Sequence, residues 1–257
     1  MLEGKTVVVS GTGPGLGREI AAAAVRDGAN VVLGARTEAN LEKAAQEIDP
    51  SGERVAWRVT DITDAEQCRS LAQLAADRYG HLDALVNVAA LDTIFGGVEG
   101  ADFDEWRRAL EINLLGSMQV TQAAVPYLKK QGGAIVFIGS QAMFWSQIPQ
   151  AGYAASKAAL MGAVAHLTQE LGPYRIRVNT VVPSWMWGPP VEGYVNMTAR
   201  AQGIDPAQIV DGIIKNMPLG EMPGDGDVAE AVVFLASDRA RMITGQSLLV
   251  NAGEYIR

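Results

Sequence analysis

Seven short runs of apolar, β-branched residues alternate with longer Ala- and Leu-rich stretches along this 257-residue chain. The runs read as strands at 6–10, 30–35, 54–58, 84–88, 134–139, 177–182 and 247–250. Helical periodicity predicts helices over roughly 16–28, 38–48, 64–79, 104–130, 152–171 and 227–237. Strands apolar at consecutive rather than alternate positions are buried on both faces, as in a parallel sheet covered by helices. The βαβ rhythm therefore predicts an α/β, doubly wound, predominantly parallel seven-stranded sheet with helices on both faces. There is no internal repeat or linker, so residues 1–257 are expected to form one domain. The least regular stretch, 183–226, is rich in Pro, Gly, Trp and Met and follows a strand. A long irregular segment in that place is expected to be a substrate lid, inserted around 184–226.

Bulk properties narrow the function. A formal net charge of −8 argues against nucleic acid and against an anionic membrane surface. The single cysteine, Cys68, excludes an intramolecular disulfide and a Cys-based zinc site, and its helical setting reads as a packed thiol. His81 and His166 stand apart from other ligand-type residues, so no metal site is expected. Met1 leads directly into the first strand without a basic and then apolar leader, and the apolar run 21–25 is too short to span a bilayer. A soluble, cytoplasmic protein is expected.

Between the first strand and the first helix lies Ser10-Gly11-Thr12-Gly13-Pro14-Gly15-Leu16-Gly17. Glycines there allow a tight turn and a close backbone approach to a pyrophosphate, which the helix N-terminus attracts through its free N–H groups and dipole. This makes the sheet Rossmann-type and a dinucleotide its expected ligand. The second strand ends at Ala35 where an acidic residue would bind the ribose hydroxyls of NAD, and Arg36 and Thr37 follow. A guanidinium in that place receives a 2′-phosphate, so NADP(H) is favoured, with NAD(H) left open because Pro14 occupies the position of a second basic residue. Arg18, one turn into the helix, reads as an ion-pair residue. Asp61, after the third strand, can bond the adenine amino group or cap the next helix. Ile62 beside it belongs to the same cofactor-facing segment.

Tyr153 and Lys157 share one helix face at i and i+4, and Ser140 ends the apolar strand thirteen residues upstream of Tyr153. A free phenol has a pKa of about 10, too high for a base near neutral pH. A neighbouring ammonium and an oxidised nicotinamide would bring it down, and a serine hydroxyl can stabilise a developing alkoxide.

With the Gly-rich turn, Asp61, Asn87, Asn113, Ser140, Tyr153 and Lys157 in this order, the chain resembles the short-chain dehydrogenase/reductase family, in its single-domain branch with a Y-x-x-x-K site, from about Lys5 to Gly253. The resemblance implies that Ser140 holds the substrate oxygen and that Tyr153 exchanges the hydroxyl proton. It implies that Lys157 binds the nicotinamide ribose and lowers the tyrosine pKa, while Asn113 supports a proton-relaying water. Asn87 and Ala89, in Asn87-Val88-Ala89-Ala90, match the family's N-N-A-G near the cofactor, with a methyl at Ala90 where glycine is usual. Pro183-Ser184 replaces the usual P-G, and Gly188 stands where the family often has a cofactor-contacting Thr, leaving main-chain contacts from Met186. The family also implies a homotetramer or homodimer built on helices around 104–130 and 152–171. The four-residue Tyr-to-Lys spacing separates the chain from the enoyl reductase relatives, in which the gap is longer.

Large side chains lie where such a fold opens its cleft: Phe144, Trp145, Trp185, Met186, Trp187 and Tyr194, with few charges. Gln141 and Gln147 add polar groups. The expected substrate is a hydrophobic secondary alcohol or ketone, interconverted by hydride transfer. The alternative is a catalytically silent NAD(P)-binding sensor or scaffold, against which the complete Ser140/Tyr153/Lys157/Asn113 set argues.

Overall fold

The computed structural model describes residues 1–256. Its seven strands are β1 (Thr6–Ser10), β2 (Asn30–Ala35), β3 (Val55–Val59), β4 (Ala84–Asn87), β5 (Gly133–Ile138), β6 (Ile176–Pro183) and β7 (Ser247–Val250). All pair in parallel, in the spatial order β3-β2-β1-β4-β5-β6-β7. The order reverses between β1 and β4, and a crevice opens there at the carboxyl ends of the strands.

Alternation along each strand divides the core in two. Val7, Val9, Val31, Leu33 and Val136 pack on one face with the helices α1 (Leu16–Arg26), α2 (Glu38–Ile48) and α9 (Asp225–Ala236). Val8, Val32, Leu85, Ile135 and Phe137 pack on the other with α3 (Ala65–Tyr79), α5 (Ser117–Leu128) and α6 (Ala151–Leu171). Cys68 is wholly buried in this second layer, with its thiol raised to about 11 by burial, so it is packing rather than a nucleophile.

Two sequence expectations change. The helix expected over 104–130 is three joined segments: α4 (Phe103–Ala109), a π-helical stretch Leu110–Gly116, and α5. The wider turn contains Asn113, whose side chain is fully buried. The stretch 183–226 is not irregular, because it holds α7 (Pro189–Gln202) and α8 (Pro206–Ile214). Three of its prolines, Pro189, Pro190 and Pro206, sit in the first turns of these helices, where the missing N–H costs nothing. Asp205 caps α8 by accepting from the Ala207 N–H at 2.8 Å. These two helices share a small core of Val195, Ile213 and Met217, with Trp185 and Tyr194 against it.

The turn after β1 is set by one close approach. Gly11 has φ +104°, and a methyl there would lie 2.2 Å from the Ala89 backbone nitrogen. Gly13 has open space around its α-carbon. Gly11→Ala is therefore expected to lower unfolding stability by at least about 2 kcal/mol, and Gly13→Ala to stay within about 1 kcal/mol of wild type, read by urea denaturation.

Candidate active site

The carboxyl ends of the strands open into a cleft of about 1040 Å³ that runs from the Gly-rich turn past Ser140, Tyr153 and Lys157 to Trp185 and Tyr194. At its nucleotide end, Gly15 is the N-cap of α1 and gives no side-chain hydrogen bond, so the first N–H groups of the helix have no side-chain cap. Gly17 is required by packing, since a methyl there would meet the Gly11 carbonyl at 2.3 Å. Gly13 leaves the approach clear. Thr12 is buried and its hydroxyl donates to the Val9 carbonyl at 3.3 Å, which holds the turn together. Leu16 and Ile62 are buried and line the cleft walls.

Arg36 and Thr37 are exposed at the mouth beside Asp61. Asp61 accepts from the Thr63 N–H at 2.9 Å and hydroxyl at 2.7 Å, and these bonds, helped by the Arg36 charge, hold its carboxyl below the usual range. The helix cap is Asp64, which accepts from the Glu66 and Gln67 N–H groups, so Asp61 is left to the cleft. Arg18 pairs with Glu47 at 2.5 Å, the ion pair read from its position. His81 bonds the Gly4 carbonyl and pairs with Asp83, while His166 is exposed on α6.

The catalytic candidates meet in the middle of the cleft. Ser140 leaves β5 and its hydroxyl accepts from the Ala142 N–H at 3.2 Å. Tyr153 lies in the first turn of α6, fixed by packing just before it: Gly152 has no side chain, and the Trp106 indole fills that space. Lys157 is 3% exposed, and its ammonium donates to the Ile138 carbonyl at 2.8 Å. It stands 5.9 Å from the centre of the Tyr153 ring. Burial pushes the Tyr153 phenol up to about 12, with the Ser140 hydroxyl working against the shift. Burial brings the Lys157 ammonium down to about 8, and the Asp92 carboxylate opposes it. In the protein alone, burial is the largest influence on the phenol, and the Asp92 carboxylate adds to it.

The Asn113 side chain spends its hydrogen bonds on the loop after β4 and on α6. Its amide donates to the Leu91 carbonyl and the Ser156 hydroxyl, both at 2.9 Å, and its oxygen accepts from the Leu91 N–H at 2.6 Å. It ties the loop after β4 to α6. Asn87 is turned away, donating at 3.2 Å to the Thr121 hydroxyl, while Val88, Ala89 and Ala90 face the cleft in its stead. Phe144 leaves the cleft as well and stacks on Tyr255, with ring centres 5.7 Å apart. Trp145, Trp185, Met186 and Tyr194 line the cleft as expected, and Trp185 packs on Tyr194 at 5.2 Å. Pro183 and Ser184 close the floor, and the Ser184 hydroxyl is buried without a partner. A buried orphan hydroxyl beside an uncapped helix end fits a dinucleotide that would satisfy both.

Sequence reasoning missed four cleft carboxylates, Asp92, Glu111, Asp225 and Glu254, of which two follow strands of the sheet. Asp92, after β4, and Glu254, after β7, both line the cleft. Each follows the carboxyl end of a parallel strand, which was the available signal. The expectation of few charges at the substrate end is corrected accordingly.

A family model described as enoyl-(acyl carrier protein) reductase matches residues 11–254. The chain is 35% identical over 256 residues to the trans-4-hydroxycyclohexanecarboxylate dehydrogenase of Sinomonas cyclohexanicum, covering 97% of this chain and 92% of that one. It is 31% identical over 258 residues to the 3-oxoacyl-acyl-carrier-protein reductase FabG of Thermotoga maritima, covering 99% of each. A solved structure from Brucella melitensis, a short-chain dehydrogenase/reductase of glucose/ribitol dehydrogenase type, superposes with a TM-score of 0.88 at 30% identity, over 100% of this chain and 98% of that one. No helix among the described residues is long and apolar enough to cross a membrane. The shared sequence, the all-parallel sheet and the Ser140, Tyr153 and Lys157 cleft agree: the chain belongs to the short-chain dehydrogenase/reductase family of oxidoreductases.

Proposed function

We propose that this enzyme interconverts a secondary alcohol and its ketone with NADP(H), using Tyr153 as the proton donor and acceptor. The observation that carries the reading is the meeting of half-buried Ser140 and Tyr153 with buried Lys157 in one cleft with an uncapped, glycine-lined helix end. The dinucleotide, when bound, supplies or removes the hydride. In reduction, Ser140 donates a hydrogen bond to the carbonyl oxygen, and Tyr153 gives that oxygen its proton. A phenol held near 12 is fully protonated at neutral pH and is ready to act as an acid. Lys157, kept in place by the Ile138 carbonyl, would hold the nicotinamide ribose and return a proton to the phenolate. Main-chain groups from Gly11 to Gly17 would hold the pyrophosphate, with Asp61 at the adenine and Ser184 and Met186 near the carboxamide. The helices α7 and α8 would act as the lid, with Trp185 and Tyr194 giving an apolar wall. The four-residue spacing of Tyr153 and Lys157 supports carbonyl rather than enoyl chemistry.

NADP(H) is favoured over NAD(H) by Arg36, which is exposed beside the small Ala35 and makes no ion pair with another described residue. A homotetramer or homodimer is supported by the exposed Phe103, Leu110 and Leu115 and by α6, which is rich in Ala and Leu around its circumference. The small-molecule substrate, the absence of nucleic acid and membrane partners, and a cytoplasmic location complete the reading.

A cofactor-coupled screen of cyclic ketones and alcohols, followed at the absorbance of the reduced nicotinamide, tests this function. Tyr153→Phe is expected to lower kcat by about 10²- to 10⁴-fold while NADPH binding, read by fluorescence, is retained. Full activity in that variant overturns the reading. Arg36→Ala is expected to raise KM for NADPH about tenfold or more and to leave that for NADH within about threefold. Equal effects on both would remove Arg36 from cofactor choice. Lys157 has a pH signature of its own. Its folded pKa, about 8, is below the ordinary lysine value of 10.5, so between these values the unfolded chain binds the extra proton and stability rises with pH. Relative to Lys157→Met, the cofactor-free enzyme is expected to gain up to about 3 kcal/mol from pH 8 to 10.5 in urea titrations. A flat difference would show that the ammonium is not desolvated.

A further inference from the structure

The end of the chain turns back into the cleft. After β7 the backbone passes through Ala252, at φ 51°, and Gly253, at φ 85°, and Gly253 packs on Pro218. A positive φ at a residue with a side chain is uncommon and is kept where the surroundings demand it. Asn251 fixes the turn, since its oxygen accepts from the Gly253 N–H at 3.1 Å and its amide donates to the Tyr255 carbonyl at 2.9 Å. The result is that Glu254 lines the cleft together with Ser140, Gln141 and Gln147.

Two glutamines hold that carboxylate. Gln141 is 3% exposed, and the residue before it is Ser140. Its oxygen accepts from the Asn251 amide at 2.6 Å, which leaves its own amide nitrogen to donate to Glu254 at 2.9 Å. Gln147 donates to the other carboxylate oxygen at 2.5 Å. The amides orient the carboxylate without neutralising it, and each oxygen retains a lone pair. No Lys or Arg among the described residues is within ion-pair distance of Glu254 or of Asp92. Asp92 lines the same cleft and acts electrostatically on both Tyr153 and Lys157.

We infer that Glu254 is a specificity-determining residue: it selects carbonyl or alcohol substrates that carry a hydrogen-bond donor, a hydroxyl or an ammonium, on the far side of the reacting carbon, and it disfavours substrates with a carboxylate there. The inference rests on the proposed oxidoreductase reading and refines the expected hydrophobic substrate into one with an apolar body and a donor at its end. An anion brought beside an oriented carboxylate meets repulsion, and a carboxylate offers it no donor. An ammonium or hydroxyl meets a fixed acceptor whose hydrogen-bonding orientation is already set by the two glutamines.

The test compares cyclohexanone, 4-hydroxycyclohexanone, 4-aminocyclohexanone and 4-oxocyclohexanecarboxylate with wild type and Glu254→Gln. It reads kcat/KM with NADPH and, separately, calorimetric binding to the enzyme loaded with oxidised cofactor. Wild type is expected to prefer the amino or hydroxy ketone to the carboxylate by about tenfold or more. Preference for both donors over cyclohexanone marks hydrogen bonding, and preference for the amine alone marks charge. Glu254→Gln is expected to shrink the spread between amine and carboxylate to within about threefold, a change in ranking that a merely structural clip would not produce. An unchanged ranking in Glu254→Gln, or a wild type that takes the carboxylate as well as the amine, overturns the inference. Failure of all four ketones to turn over counts against the oxidoreductase reading instead, and the binding ranking then decides the role of Glu254 by the same criteria.

Discussion

Everything at this site depends on how closely the turn after β1 can approach the turn after β4. The two strands are neighbours at the point where the sheet order reverses, so their loops leave in opposite directions and a crevice must form between them. Its depth is set by atoms: Gly11 lies against the Ala89 backbone and Gly17 against the Gly11 carbonyl, with no room for a side chain at either. A wider turn would move the start of α1 away from the strand ends and with it the uncapped N–H groups. The burial of both sheet faces makes the arrangement rigid, since Val8 and Val9 are each at most 1% exposed on opposite sides of β1.

Rigidity then has chemical consequences on the far side of the crevice. Lys157 and Tyr153 sit on a helix that is packed so close to the sheet that the ammonium bonds a strand carbonyl, that of Ile138. Such proximity desolvates both groups and pushes their proton affinities in opposite senses, the phenol up and the amine down. Burial therefore moves both groups toward their neutral forms: the phenol is protonated near neutral pH, while a lysine near 8 still carries most of its charge there. On the proposed reading, Tyr153 would be held closer to the phenolate that alcohol oxidation needs when the oxidised cofactor is bound, and would stay protonated for ketone reduction when the reduced one is. On the proposed reading, the same buried pair serves either direction, and the charge state of the cofactor chooses between them.

Regular parts of the architecture were legible because each rests on a local rule. Consecutive apolar residues in β1, β2, β4 and β5 announced two-sided burial, and the glycines between β1 and α1 announced a close approach. Ser140, Tyr153 and Lys157 were legible by spacing, and the structure brings them together. What stayed hidden depends on contacts distant in sequence. Asn113 was read beside the lysine, and the partners of its side-chain amide, Leu91 and Ser156, lie 22 and 43 residues away. Asn87 was placed at the cofactor by its motif, whereas the alternation of β4 points it at Thr121. Phe144 was grouped with the cleft aromatics, yet it stacks on Tyr255, more than a hundred positions later. Pro189, Pro190 and Pro206 hid α7 and α8 because proline signals a break everywhere except the first turn, and only the structure shows which applies.

The C-terminal tail shows why the substrate end is the hardest part to read from sequence. Glu254 lies beyond the last strand, in a stretch without periodicity, and nothing in its neighbours marks it as different from a solvated terminal acid. Its placement follows from three contacts made by residues on other elements: Gln141 after β5, Gln147 before α6 and Pro218 after α8. Each of these belongs to a loop at the carboxyl edge of the sheet, where the fold imposes position but not chemistry. The nucleotide end is constrained by backbone geometry that a shared ligand demands, so its signals repeat as motifs. The substrate end is assembled from side chains whose meaning appears only once the loops are folded together, which is why an apolar reading of Trp145, Trp185 and Tyr194 was incomplete until a carboxylate held by two amides was found beside them.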